Sequence, residues 1–322
     1  MRFNKLSYSR FVYKELMFVR SPGDFKILTD KFPIWSRMLL EQRSKNATPI
    51  ILQLEPTSQC NLRCIMCPQD TTTREKGYMA FPLFKKIVDD AIGFGIKRIW
   101  LYAQGEPLLH PQIVEMVRYI KNKQLAVDIT TNGMLLDAEK TRALFDAGMN
   151  SADYITFSVM GNSKEVHEAV MKRANHELIE RNILGLMELK RHRKISGPIV
   201  QIKFYSMPEN QHEESSFIIK WENKVDRVLP ITPISLSFYK DTTINNIPAK
   251  RTFCTQAWDR ITVYWNGDMT VCNNDTDGKY ILGNLSTESI SAVWHSEKYE
   301  EFRNFHTKMN FENLPLCTNC DI

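Results

Sequence analysis

The sequence predicts an α/β fold built on a parallel sheet, followed by a small cysteine-bearing module. From residue 49 to 245, short apolar runs alternate six times with segments of helical periodicity or turn signals, the pattern of a strand–helix repeat. From 246 to 322, two β-rich stretches flank Asn266-Gly267, a strong hairpin signal, and an amphipathic helix is predicted at 288–305. Residues 1–48 form a basic, aromatic-rich N-terminal extension.

The predicted strands and helices of residues 49–245 alternate along the chain. The strands are predicted at 50–54, 98–102, 126–130, 154–159, 199–204 and 234–238. The helices are predicted at 81–94, 111–123, 137–147, 176–193 and 213–223. This repeat gives a parallel sheet with right-handed crossovers, but it has fewer units than a complete TIM barrel. Functional side chains gather at the carboxyl ends of such strands.

The composition is that of an ordinary globular protein. Of 322 residues, 43% are hydrophobic and 25% are charged, and the net charge is +5. We find no apolar run long enough for a transmembrane segment and no signal peptide, so we expect a cytoplasmic protein. Its reducing surroundings argue against disulfides among the seven cysteines. The mild basic excess fits an anionic substrate, and we expect no nucleic-acid partner.

Three cysteines follow the first predicted strand with the spacing C-x3-C-x2-C, at Cys60, Cys64 and Cys67. Three thiolates from one loop can hold three irons of a cubic 4Fe–4S cluster, which normally has four cysteine ligands. The next cysteine, Cys254, lies far along the chain, so one iron is left open for a small molecule. A zinc site or a set of buried thiols are the alternative interpretations.

This loop resembles the radical S-adenosylmethionine (radical SAM) superfamily, with Met66 where an aromatic residue is frequent. The resemblance implies a partial (β/α)6 TIM-like barrel, open on one side, and a 4Fe–4S cluster whose open iron binds S-adenosylmethionine. Reductive cleavage then gives a 5′-deoxyadenosyl radical that abstracts hydrogen from a substrate. The resemblance also implies an electron donor of the flavodoxin or ferredoxin type.

Further motifs resemble the residues that hold S-adenosylmethionine in this superfamily. The turn Gln104-Gly105-Glu106-Pro107 follows the second predicted strand and matches the GGEP motif except at Gln104. The retained carboxylate of Glu106 resembles the one that accepts hydrogen bonds from the methionyl amino group. The resemblance implies cofactor binding by Gly105, Glu106, Asn132, Ser158 and Arg173, with Lys172 as the alternative cation. The polar residues could instead be turn residues that satisfy their own backbone.

The remaining four cysteines form a second group near the C-terminus. Cys254 and Cys272 flank the predicted hairpin, and Cys317 and Cys320 end the chain as C-x2-C. This layout resembles the auxiliary-cluster modules called SPASM and Twitch, and four cysteines fit the shorter Twitch kind with one 4Fe–4S cluster. A zinc ribbon made of the same four residues is the alternative.

If three cysteines hold one cluster and four hold the other, no thiol is left for radical epimerisation or for methyl transfer through a cysteine. An auxiliary cluster can accept an electron from a substrate radical. The loss of a hydrogen atom, a proton and an electron then oxidises an alcohol to a ketone. The four-cysteine module resembles that of the aminocyclitol dehydrogenases, with which the chain shares Gly105-Glu106-Pro107-Leu108-Leu109 and Gly283-Asn284.

The sequence therefore predicts a radical SAM dehydrogenase that acts on a small molecule such as a sugar, a cyclitol or a nucleotide-linked carbohydrate. A peptide-modifying radical SAM enzyme and a non-catalytic metal-binding scaffold are the alternatives. Dehydrogenation needs a base near the substrate. The candidates are Tyr239 and Lys240, which follow the last predicted strand of the barrel.

Overall fold

A computed structural model of the chain describes residues 49–231, 254, 256–318 and 320. Its strands are β1 (Ile51–Leu54), β2 (Arg63–Cys64), β3 (Arg98–Leu101), β4 (Ala126–Thr131), β5 (Tyr154–Ser158), β6 (Met171–Lys172), β7 (Ile199–Tyr205), β8 (Arg227–Ile231), β9 (Arg260–Val263), β10 (Asp268–Thr270) and β11 (Ile281–Asn284). Its α-helices are α1 (Phe81–Gly93), α2 (Ile113–Asn122), α3 (Ala138–Asp146), α4 (Lys164–Val170), α5 (His176–His192), α6 (Glu214–Trp221), α7 (Gln256–Asp259), α8 (Ile290–Trp294), α9 (Glu297–Thr307) and α10 (Pro315–Thr318).

Nine of these strands form one mostly parallel sheet in the order β11-β10-β9-β1-β3-β4-β5-β7-β8. The six strands from β1 to β8 are parallel neighbours, and helices α1, α2, α3, α5 and α6 lie between them in the chain. The α/β fold class and the partial (β/α)6 barrel are confirmed. The short strands β2 and β6 pair with each other, apart from the main sheet.

The predicted C-terminal hairpin is present, and it continues the barrel sheet. Strand β9 pairs in parallel with β1, so that Ile51 lies opposite Arg260 and Leu54 opposite Val263. Strands β10 and β11 then add in antiparallel fashion. The cysteine-bearing module is therefore joined to the strand that leads directly into the first cysteine loop.

Side chains alternate across the barrel strands, and the two faces differ in chemistry. The outward row packs against the helices as a continuous apolar core that includes Leu52, Ile99, Val127, Ile155 and Ile202, each at most 1% exposed. Because successive strand residues point to opposite faces, the neighbouring positions face the barrel interior. That inner row is polar and aromatic, and it includes Gln53, Trp100, Tyr102, Asp128, Thr156 and Lys203.

The predicted secondary structure differs from the structure in several places, and the short elements α4, β2 and β6 were not predicted. The single helix predicted at 288–305 is wrong, because the chain forms α8 and α9 with a break at His295 and Ser296. The Ser296 hydroxyl accepts a hydrogen bond from the backbone N–H of Tyr299 and caps α9, which ends the preceding helix. Strand β8 was not predicted, and the strand predicted at 234–238 lies outside the described residues.

The N-terminal extension and the candidate bases Tyr239 and Lys240 also lie outside the described residues. The domain boundaries at 48 and 245 stay predictions. No helix in the described part of the chain combines the length and the apolar character needed to cross a membrane.

Candidate active site

The first cysteine loop begins where β1 ends, at the carboxyl edge of the sheet. Cys60, Cys64 and Cys67 are each half-buried. Burial raises the pKa of Cys60 to about 11, and burial followed by the charges of the neighbouring cysteines raises the pKa of Cys64. The three thiols therefore lie close to one another. Bound iron reverses such shifts, because a coordinating thiol is deprotonated by the metal charge.

A buried ion pair holds the end of β1, just before the cysteine loop. Glu55, which is fully buried, accepts two hydrogen bonds from the guanidinium of Arg74 at 2.6 and 3.0 Å. The same guanidinium lies over the ring of Tyr264, 3.7 Å from its centroid. The strand end is thereby tied both to the segment after the loop and to the C-terminal module.

The turn at Gln104–Pro107 packs directly on the backbone of the cysteine loop. A Cβ atom on Gly105 would lie 2.0 Å from the carbonyl oxygen of Thr57 and 2.7 Å from that of Gln59. The backbone N–H of Glu106 donates to the Gln59 carbonyl at 2.8 Å. Only glycine permits this approach, so the predicted residue Gly105 has a structural reason to be present.

Glu106 is 3% exposed and is held by three donors. Its Oε1 accepts from the Leu108 N–H at 3.1 Å and from the Thr131 hydroxyl at 2.7 Å, and its Oε2 accepts from the Asn132 N–H at 2.8 Å. A carboxylate has about four lone-pair positions, so one position on Oε2 is left. Burial raises the pKa of Glu106 to about 7 despite these donors. A cationic ammonium placed at Oε2 would restore the charged form.

The other predicted cofactor residues differ in how they are placed relative to the cysteine loop. The Asn132 amide donates to Asn61 Oδ1 in the cysteine loop at 2.8 Å. Arg173 follows β6, which pairs with β2 in the loop, and its backbone has a φ of 72°, in the left-handed region that is uncommon outside glycine. Ser158 ends β5 on the inner face, where it lies opposite Lys203 of β7.

The four remaining cysteines converge on one cavity of about 380 Å³, open space at its mouth included. Its lining consists of Cys254, Gln256, Ala257, Val271, Cys272, Asn274, Phe302, His306, Leu316, Cys317 and Cys320. Burial raises the pKa of Cys272, and the other three cysteines of the group raise it further. Residues that are distant in the sequence are thus gathered around a single site.

His306 belongs to this second site, a role that the sequence analysis missed. The His306 ring is fully buried, with Nδ1 3.3 Å from the backbone N–H of Cys254 and Nε2 3.6 Å from the sulfur of Cys317. Hydrogen bonds to ligand sulfurs tune the potentials of iron–sulfur clusters. No spacing in the sequence links His306 to a cysteine.

A hydrogen-bonded bridge joins the two cysteine sites. The Gln69 amide donates to the carbonyl oxygen of Gln104, and the Gln104 amide donates to the carbonyl of Asn273, next to Cys272. Gln104 is the position at which this turn departs from the family motif. Its side chain connects the turn beside the first cysteine loop to the second cysteine group.

Both candidate sites consist of cysteine thiols. Among the described residues, no three histidine, cysteine or acidic side chains are placed to hold one metal ion. Each cysteine group supplies the thiolate donors that iron–sulfur clusters use.

Comparison with known proteins gives the class of protein that the cysteine loop predicts, a radical SAM enzyme. The family model of the Radical SAM superfamily matches residues 54–207, and that of the SPASM iron–sulfur cluster-binding domain matches residues 254–321. A tungsten-containing aldehyde ferredoxin oxidoreductase cofactor-modifying protein of Pyrococcus furiosus is 27% identical over 84% of this chain and 87% of its own length. A probable GTP 3′,8-cyclase of Methanococcus maripaludis is 32% identical, over 43% of this chain and 47% of its own length.

Solved structures share the fold. BtrN in complex with AdoMet and 2-DOIA is 22% identical with a TM-score of 0.59, over 85% of this chain and 93% of that chain. Streptococcus suis SuiB bound to precursor peptide SuiA is 16% identical with a TM-score of 0.62, over 88% of this chain and 72% of that chain. The chain belongs to the radical SAM superfamily and carries a C-terminal SPASM-type domain. Its cofactors are S-adenosylmethionine, a 4Fe–4S cluster and auxiliary iron–sulfur clusters.

Proposed function

We propose that this enzyme is a radical SAM dehydrogenase that oxidises a hydroxyl group of a sugar, cyclitol or nucleotide-linked carbohydrate. The observation that carries the proposal is the gathering of Cys254, Cys272, Cys317 and Cys320 around one cavity. When bound, S-adenosylmethionine and the first cluster supply a hydrogen-abstracting radical, and the second cluster supplies an electron acceptor.

The first site has the groups needed for its cofactors. In our proposal, Cys60, Cys64 and Cys67 hold the cluster, and the free acceptor position of Glu106 takes the methionyl ammonium. Gly105 and Asn132 keep the turn and the next strand end against the loop. Arg173 or Lys172 supplies a cation beside the loop, since Lys172 pairs with the loop strand β2 and Arg173 follows it directly. Ser158 lies farther along the inner face.

The second site supports oxidation over redox-neutral chemistry. All seven cysteines are assigned in this scheme, so no free thiol is left to return a hydrogen atom to a substrate radical. The Gln69–Gln104–Asn273 bridge keeps the second cysteine group beside the turn that holds S-adenosylmethionine. Tyr239 and Lys240 stay the predicted bases; unchanged turnover in a Lys240→Ala variant would remove that residue from consideration.

A second candidate is the modification of an enzyme cofactor. The Pyrococcus furiosus relative, whose name states that function, matches this chain over most of both lengths. The GTP 3′,8-cyclases match only about half of their own length, and their name specifies a nucleotide substrate. Peptide modification is the third alternative.

The experiment is a product analysis under anaerobic, reducing conditions. The enzyme is incubated with S-adenosylmethionine and panels of sugars, cyclitols, nucleotide sugars and peptides. The proposal expects 5′-deoxyadenosine together with a carbohydrate product that is lighter by two hydrogens. The same reaction with Cys272→Ala should still cleave S-adenosylmethionine but should form little oxidised product. A crosslinked or oxidised peptide, or a product of unchanged mass, would contradict it.

A further inference from the structure

Lys203 stands on the inner face of the barrel, near the carboxyl end of β7. Its neighbours Ile202 and Phe204 are fully buried in the outer core, so the alternation of a strand turns Lys203 toward the interior. Lys203 lies opposite Ser158 of β5. This is the end of the sheet at which the cysteine loop and the Gly105 turn also lie.

The side chain of Lys203 reaches across the interior rather than out to solvent. Its ammonium lies 5.9 Å from the ring centroid of Tyr102, which follows β3. Strands β3 and β7 are separated by β4 and β5, a span of about 14 Å in a flat sheet. Curvature of the barrel therefore brings the two side chains over a shared interior space.

The inner face carries an excess of positive charge among the described residues. Its cations are Arg98, Lys203, Arg227 and Arg260, and its carboxylates are Asp128 and, just after β1, Glu55, which is paired with Arg74. Asp128 is already paired with Arg98. Arg260 lies over the ring of Trp100, 4.3 Å from its centroid, and its Nε is buried without a hydrogen-bond acceptor.

Lys203 has no carboxylate or hydrogen-bond acceptor among the described residues, whereas Nη1 of Arg260 donates to the Gln256 amide oxygen at 3.3 Å. Burial lowers the pKa of Lys203, the charge of Arg260 lowers it further, and Asp128 offsets this only in part. A mostly buried cation without an anionic partner is unfavourable. An anion placed in the interior would stabilise Lys203 and Arg260 together.

We propose that Lys203 binds a phosphate or carboxylate group of the substrate inside the barrel, so that the substrate is an acidic carbohydrate rather than an aminocyclitol. This inference rests on the proposed function, because it requires a substrate in the barrel interior. A protonated amine would meet Lys203 and Arg260, and the inner-face carboxylates of the described ranges, Glu55 and Asp128, are already paired with arginines. Among the three substrate kinds proposed above, the nucleotide-linked carbohydrate fits these charges.

The test measures binding rather than turnover, on the enzyme with its clusters and S-adenosylmethionine bound. Equilibrium dialysis compares UDP-glucose and glucose 6-phosphate, which carry phosphate, and glucuronate, which carries a carboxylate. Neutral glucose and cationic glucosamine are the comparison ligands. We expect at least one acidic ligand to bind more tightly than glucose or glucosamine. The Lys203→Met variant should weaken that ligand about tenfold to a hundredfold, and Lys203→Arg should retain most of the affinity.

Lys224 offers a matched control. Its ammonium also stands over an aromatic ring, 5.7 Å from the centroid of Trp221, but it is exposed on the outer side of the barrel. Lys224→Met should bind every ligand as the wild type does. Iron content and S-adenosylmethionine affinity, measured on each variant, show that the protein is folded and loaded.

Each other outcome overturns the inference. Absence of Lys203-dependent binding among the three acidic ligands would refute an anion site. Equal or tighter binding of glucosamine would refute the charge preference. Loss of S-adenosylmethionine affinity in Lys203→Met would assign the lysine to the cofactor instead. None of these results bears on whether the enzyme oxidises its substrate, which the product analysis decides separately.

Discussion

Replacing Gly105 by alanine tests the packing that joins the Gln104–Pro107 turn to the cysteine loop. The added Cβ would lie 2.0 Å from the Thr57 carbonyl oxygen and 2.7 Å from that of Gln59. Ordinary contacts of this kind begin near 3.4 Å, so the two backbones must separate by more than an ångström. Both obstacles are backbone atoms, which cannot rotate away as a side chain can.

The expected loss in free energy of unfolding has two contributions. Overpacking of a well-packed region costs about 1–3 kcal/mol, and a rigid backbone obstacle belongs at the upper end of that range. The displacement also stretches the hydrogen bond from the Glu106 N–H to the Gln59 carbonyl, worth about 1 kcal/mol. We therefore expect Gly105→Ala to lower the free energy of unfolding by about 4 kcal/mol and to lower S-adenosylmethionine affinity.

Gly185→Ala is the matched control. Gly185 is exposed in the middle of α5, and no atom outside its own stretch of helix lies within 4 Å of the position that a Cβ would take. Alanine is the better helix former, so this change should raise the free energy of unfolding by about 1 kcal/mol. Urea denaturation and equilibrium dialysis of S-adenosylmethionine measure both variants. Wild-type stability and affinity in Gly105→Ala would refute the close approach of the turn to the loop.

Three further changes probe the two sites. The folded pKa of Glu106, about 7, is above its unfolded value, so the protonated carboxyl stabilises the fold below pH 4.5. This stabilisation, up to about 3 kcal/mol, is lost as the pH rises through 7, and Glu106→Gln removes the dependence. In urea titrations, wild-type stability minus that of the variant should fall over this range; a flat difference would contradict burial of the acid. His306→Phe should shift the potential of the second cluster in redox titration, because it removes the contact with the Cys317 sulfur, while an unchanged potential would assign His306 to packing alone. Gln104→Gly should lower the amount of oxidised product formed per S-adenosylmethionine cleaved, because it removes the hydrogen bond to Asn273. An unchanged ratio in the product analysis would show that the bridge is dispensable.

Local patterns predicted most of the fold. Apolar runs and helical periodicity identified the main-sheet strands up to β7 and the helices α1, α2, α3, α5 and α6, because each of those elements packs one apolar face. The short elements α4, β2 and β6 were not predicted. Strand β8 was not predicted, because Arg227 and Pro230 interrupt its apolar run and it lies at the edge of the sheet. The pairing of β9 with β1 joins residues about two hundred positions apart, and no local pattern encodes it.

The candidate site divides in the same way. Cysteine spacing and the Gly105-Glu106 turn could be recognised because their ligands are close in the sequence. Ser296 offered a local capping signal that would have separated α8 from α9. His306 and Gln104 act through tertiary contacts, so their roles appear only in the structure. The sequence analysis did not single out Lys203, because only the curved sheet sets it against Tyr102.

The central claim is that the seven cysteines hold two separate four-iron clusters. Counting iron and sulfide in the anaerobically purified protein tests it most directly, with a Cys60→Ala, Cys64→Ala, Cys67→Ala triple variant as the comparison. We expect about eight irons in the wild type and about four in the triple variant. About four irons falling to none would contradict it. The second cysteine group would then hold zinc or nothing, and the proposed oxidation would have no electron acceptor.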